Sequence, residues 1–256
     1  MRRGRTFVGV LLAAFAALGL VAAGASATFH LIKVREVFPG TAAQPESDYV
    51  ELQAFSPFQN QVQFGQLQVY NANGTTAGST FTPAGPLANN QDQRTVLIAD
   101  STFGTVFPGI TPDSTDTGLN LSPAAGAVCW PVNSTPIDCV SWGAFTGNAS
   151  LPSSAGDPFQ GSGASGAIGD GKAIIRSISA GCPTFLEDSD DTNDGADFSE
   201  ATPAPKPNSA PVSEVSCSPP PGGAPPPVSG GTHKKKKCKK KKHRSASAAK
   251  KCKKHK

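Results

Sequence analysis

Residues 49–54 alternate Val50, Leu52 and Ala54 with Tyr49, Glu51 and Gln53, the period of two produced when one face of a strand is buried. This predicts a half-buried strand. Residues 66–70 repeat the alternation, with Leu67 and Val69 set against Gln66 and Gln68, and Asn73-Gly74 then offers the positive φ angles of a tight hairpin turn. A meander is expected there. Runs at 95–99, 128–130, 139–142 and 172–178 favour strands, each bounded by Gly, Pro, Asn or Asp. No segment after Ala27 sustains helical periodicity over three turns. Short strands separated by turn signals predict an all-β fold, a β-sandwich whose two sheets bury their apolar faces against each other.

Composition narrows this further. The chain has 256 residues, of which 38% are hydrophobic and 16% charged, with 27 Gly and 23 Pro. That excludes coiled coils and helical bundles. The formal net charge of +4 hides a partition: residues 28–232 hold 6 basic and 19 acidic side chains, a net of −13, whereas 14 basic residues follow His233. The body and the tail are oppositely charged.

At the N-terminus, Arg2, Arg3 and Arg5 precede an apolar stretch at 7–23, and Ala25-Ser26-Ala27 supplies small residues at a signal-peptidase spacing. Residues 1–27 therefore read as a secretory signal, with a retained membrane anchor as the alternative. Export makes the six cysteines disulfide candidates. Cys129 and Cys139 flank a segment holding Pro131, Asn133 and Pro136, so the two thiols can face each other across antiparallel strands, a closure worth roughly 2 to 3 kcal/mol in the chain-entropy model. Cys182 and Cys217 pair only by elimination. Six cysteines allow 15 pairings, and these two are alternatively free or joined to the tail.

A family resemblance is carried by several motifs in order. LIKVREV and SDYVELQAF are similar to the first two strands of the lamin-tail domain; GQLQVYNANG, TVLIADSTF and CVSWG continue the pattern. GKAIIRSI and DDTNDGADFSEATPAPKPNS resemble that family's Arg-containing strand and its Asp-Thr-Asn, Ala-Asp-Phe, Thr-Pro ending. The stretch 29–208 thus resembles a lamin-tail domain of the secreted bacterial type. It departs where Gln66 follows Gly65 in place of an aromatic, and by insertions around 108–120 and 153–169. The resemblance implies an immunoglobulin-like sandwich, assigned to residues 28–202. Bacterial members are often joined to nuclease or phosphatase domains, but the sandwich uses nearly every residue before the Pro-rich stretch.

Candidate chemistry is sparse. A Ser, His and acid constellation needs a base beside its nucleophile, and the globular stretch has one histidine, His30, at its start. No enzymatic activity and no cofactor are expected. Glu187, Asp188, Asp190, Asp191, Asp194 and Asp197 suggest a calcium loop, but the twelfth position counted from Asp190 is Ala201 in place of Glu. A solvated acidic loop is the expected alternative. Tyr49, Tyr70, Trp130 and Trp142 are read as core aromatics in preference to a stacking platform.

Pro203, Pro205, Pro207 and Pro211 open a Pro- and Gly-rich stretch, 203–232, expected to be an extended spacer. Behind it, residues 233–256 carry Lys234, Lys235, Lys236, Lys237, Lys239, Lys240, Lys241, Lys242, Arg244, Lys250, Lys251, Lys253, Lys254 and Lys256. Such charge density without apolar surface predicts a disordered tail. Its expected partners are anionic cell-envelope polymers or acidic lipids; the alternatives are extracellular nucleic acid, or a structural domain whose tail folds back on the acidic body and has no specific partner. Cys238 and Cys252 sit among lysines that favour the thiolate, so they are expected to join each other or, in an intermolecular disulfide, another chain. Irregular ligand spacing among His233, His243, His255 and these cysteines argues against zinc.

Overall fold

The computed structural model describes residues 29–179 and 182–217. Nine strands lie among the described residues: β1 (Ile32–Phe38), β2 (Tyr49–Ala54), β3 (Gln68–Asn71), β4 (Thr95–Ala99), β5 (Ser114–Thr115), β6 (Ala125–Trp130), β7 (Asp138–Gly143), β8 (Ala173–Arg176) and β9 (Phe198–Ala201). One sheet runs β5-β4-β2-β1-β8-β9 and the other β3-β6-β7. Among the strands of the described residues, β4 and β5 pair in parallel and the other pairs are antiparallel. The helical elements among the described residues are single 3₁₀ turns. The protein is all-β.

Valines, isoleucines and leucines at alternate positions explain the main core. Val50 and Leu52 of β2, Val96 and Ile98 of β4, and Ile174 of β8 meet Val69, Val128, Val140, Trp130 and Trp142 from the smaller sheet in one buried cluster. Tyr70 lies in a separate buried group with Cys129, Cys139 and Phe145, and Tyr49 with Phe38 and Phe103. Strand β1 keeps its apolar face inward only by a register shift: Val34 pairs with Leu52, Glu36 with Glu51, and Arg35 is the extra residue. A bulge of this kind lets Val34 and Val37 both reach the core.

Two expectations are corrected. Residues 49–54 do form a strand, but all six side chains are buried, so Glu51 and Gln53 do not face water. The outer face of β2 is covered by Phe103 and by a C-terminal segment, described below, that the period of two cannot reveal. The turn at Asn73-Gly74 forms, with Gly74 at φ 79°, and Tyr70 bridges Thr76. No meander follows, because β2 and β3 belong to different sheets and β3 pairs with β6.

Cys129 and Cys139 are partners in the β6–β7 register, with sulfurs 2.02 Å apart. Cys182 and Cys217 also stand at disulfide distance, 2.29 Å. Pairs of this kind belong to an oxidising compartment. No helix among the described residues is long and apolar enough to cross a membrane.

Candidate functional site

The inward alternation of β8 places Arg176 between the sheets, where it is 1% exposed. Its Nη2 donates to both Asp138 oxygens at 2.9 Å, its Nη1 to Asp191 Oδ1 at 2.9 Å, and its Nε to the Val34 carbonyl at 3.0 Å. Asp197 Oδ2 lies 3.5 Å from the same guanidinium, which stacks 4.6 Å from the Phe198 ring. Lys33 completes the group, reaching Asp191 at 2.7 Å and Asp188 at 3.0 Å. Burial works against ionising Asp191, but Arg176 and Lys33 outweigh it and hold its carboxyl below the usual range. Arg176 faces the same burial, overcome by Asp138 and Asp191, so its pKa rises. Losing one member of such a buried pair costs about 3 to 5 kcal/mol, because the partner remains charged and uncompensated.

This network accounts for the acidic run. Asp190 accepts from Ser179 N, Ser179 Oγ and Glu187 N; Asp197 accepts from Thr192 N and Oγ1; Asp194 accepts from Ala196 N. Their oxygens are aimed at the chain's own donors. Among the described residues no group of three or more His, Cys, Asp or Glu is gathered as metal ligands.

A second charged centre lies on the outer face of the larger sheet, the face of β2 expected to meet water. Glu36 and Glu51 are cross-strand partners. Glu36 Oε1 accepts from Tyr49 OH at 2.5 Å and from Ala204 N at 2.9 Å, and Glu51 Oε2 accepts from Lys206 N at 2.6 Å. Burial, then for Glu51 the neighbouring Glu36 charge, pushes both carboxyls above their ordinary range. Asn208 N donates to Asp113 Oδ2, its Nδ2 to the Thr95 carbonyl, and Arg94 Nη1 bonds the carbonyls of Asn208 and Ala210. Residues 203–217, whose composition places them at the start of a spacer, therefore lie as a strap on the domain. The signal was present in the sequence as Glu51 and Gln53 on an otherwise apolar strand, polar groups that need partners when covered.

The strap's end and the chain's first described residues share one pole. Glu214 accepts from Gln53, Thr184 N donates to the Val215 carbonyl, and β1 begins opposite the end of β2, Ile32 against Ala54. His30 stacks on Phe29 with centroids 4.2 Å apart and its Nδ1 lies 3.3 Å from Ser134 Oγ. At the opposite pole a cavity of about 360 Å³ is lined mainly by apolar residues such as Pro39, Leu121, Pro123 and Ile168. Its Asp170 carboxylate is already engaged by Ala42 N.

The four aromatics read as core residues are all buried. The expected polyanion-binding residues, Lys234 to Lys256 with Arg244, and Cys238 and Cys252 with them, lie outside the described residues, as does the leader at 1–27. What the fold defines is an all-β domain of two sheets with disulfide-paired cysteines and an internal arginine-centred ion network. No family model, curated protein or solved structure matches the chain.

Proposed function

We propose that this is a non-enzymatic secreted or surface-retained binding protein: a lamin-tail-like, immunoglobulin-like sandwich that carries a polycationic tail for contact with anionic polymers of the cell envelope. The observation that carries this reading is the segregation of charge, −13 over residues 28–232 against 14 basic residues after His233. The domain's own carboxylates support it, since Asp138, Asp191 and Asp197 serve Arg176 while Glu36, Glu51 and Asp113 bind the strap. Those six are occupied within the fold, while Glu46, Asp157, Asp170, Glu187 and Asp188 stay exposed as the acidic surface with which an outside polyanion must compete for the lysines.

A tail of this kind binds by releasing counterions from its partner, so attraction follows charge density and is independent of sequence. With about half the charges engaged, log affinity falls against log salt with a slope of roughly −6. The test is retention of the mature chain on labelled envelope polymer, compared with a version ending at Gly231. Loss of retention in the shortened chain is expected; equal retention by both overturns the reading. Duplex DNA as competitor separates an envelope partner from the alternative of a nucleic-acid-binding accessory protein.

A further inference from the structure

We propose that the pole at which β1 begins is a docking surface for an anionic lipid bilayer, with Phe58 and Phe64 entering the boundary between headgroups and acyl chains. Phe58 and Phe64 are 61% and 59% exposed, Val215 is 58% and Leu31 37%. Hydrogen bonds place them together: Leu31 N donates to Gln59 Oε1, Phe58 N to the Asn90 carbonyl, and Phe64 packs 6.4 Å from Phe29. Gln53 bonds both Gln93 and Glu214, joining the Val215 end of the strap to the same pole.

Phe58 also holds φ at 66°, a left-handed conformation costly for a bulky side chain. An exposed ring kept there gains nothing for the fold, and backbone outliers of this kind gather at functional surfaces. The choice of a bilayer over a second copy of the chain rests on the setting. Phe58 stands on a loop and Phe64 ends a 3₁₀ turn, both among the uncharged amides Gln59, Asn60, Gln61 and Gln63, isolated tips in place of the roughly 800 Å² per partner that a stable protein interface needs. Phe is among the side chains that enter the boundary between headgroups and acyl chains when they stand on an otherwise polar surface. Exposed Glu187 and Asp188 lie near Lys33 at this pole, so the folded surface supplies no net positive charge. The lysines after His233 must supply it, and the chain leading to them leaves the domain at Cys217, on this pole. Shallow insertion and a polybasic segment together make the two signals that stable attachment requires.

The electrostatic half of this proposal rests on the tail reading above, and the experiment separates the two. The mature chain and its Phe58→Ser/Phe64→Ser variant are sedimented with mixed phosphatidylglycerol and phosphatidylcholine vesicles, and in parallel retained on immobilised soluble polyphosphate. Expected is a loss of at least tenfold or so in vesicle partitioning, the scale of exposing apolar surface of about one side chain, with polyphosphate retention unchanged. Unchanged vesicle partitioning overturns the docking surface and leaves the tail reading intact. Vesicle binding that depends on the two rings without any polyphosphate retention does the reverse. A wild-type dimer that the double variant converts to monomer, seen by light scattering, assigns the rings to a second copy and overturns the proposal. As an independent readout, Phe58→Trp should be quenched by brominated acyl chains; no quenching overturns insertion.

Discussion

At Asp48 a single carboxyl couples the fold to pH. The residue is 1% exposed; its Oδ2 accepts from Leu121 N at 2.8 Å, while its Oδ1 has no partner. Burial, reinforced by the nearby Asp100 and Asp116 charges, outweighs the backbone hydrogen bonds to the carboxylate and pushes its pKa from the ordinary 3.8 up to about 7. Between those two values the native state keeps a proton that the unfolded chain has released, so stability is complete below the unfolded pKa and falls as pH rises towards 7. Asp48→Asn, which carries no charge at any pH, should melt above the wild type at pH 8 and by a clearly smaller margin at pH 5. Thermal unfolding at the two pH values measures this, and a difference of equal size at both would show that the charge is not the cause. The raised Glu36 and Glu51 carboxyls act in the same direction, so the variant should keep part of the pH dependence. None of these shifts was legible from residue type alone. An Asp before a strand reads as a turn residue, and only the loop that brings Leu121 over Asp48 reverses that.

The strap and its cysteine pair make the corresponding case for elements. Cys129 and Cys139 are buried, 0% and 3% exposed, within a strand pair, whereas Cys182 and Cys217 are both exposed, beside the strap's last contacts. Thiolate attack needs access to a sulfur. Mild reductant followed by alkylation and peptide mapping should therefore label Cys182 and Cys217 well before Cys129 and Cys139; simultaneous labelling would show that opening of the whole domain limits both. Elements were legible in the sequence in proportion to how local their causes are. The run at 49–54 and the run at 95–99 announce β2 and β4 because alternation and flanking turn residues suffice, and the nine-residue gap between Cys129 and Cys139 is short enough to fix their partner. By contrast β5 is two residues long and exists only because it lies beside β4, and β9 shows a single apolar anchor, Phe198, followed by polar positions on an edge. Residues 203–217 look like a spacer because proline content is read locally, while the carboxylates that hold their backbone amides stand 95 to 168 residues earlier, in the segment around Asp113, in β2 and in β1.

For the whole molecule, the decisive question is whether the lysines after His233 are neutralised by the domain or left for a partner, and pH distinguishes the two. Lysine and arginine keep their charge between pH 5 and pH 8, while Asp48, raised by burial to about 7, gains a proton as the pH falls through that range. The tail histidines His233, His243 and His255 also titrate there, so a variant with all three replaced by Gln leaves the domain as the main titrating part. If the acidic body competed for the lysines, lowering the pH would weaken that competition and strengthen binding to a polyanion of constant charge. If the domain's carboxylates are instead committed to Arg176, Lys33 and the strap, affinity should stay flat. With polyphosphate at constant ionic strength, we expect the His-free chain to bind within about twofold at pH 5.5 and pH 8, because a twofold change is well below 1 kcal/mol and a single released lysine contact is worth about that much. Over the same range the domain's melting temperature should fall with rising pH. Binding that strengthens tenfold on acidification would mean that body and tail hold each other, and the tail would then be a counter-charge to its own domain in place of an adhesive arm.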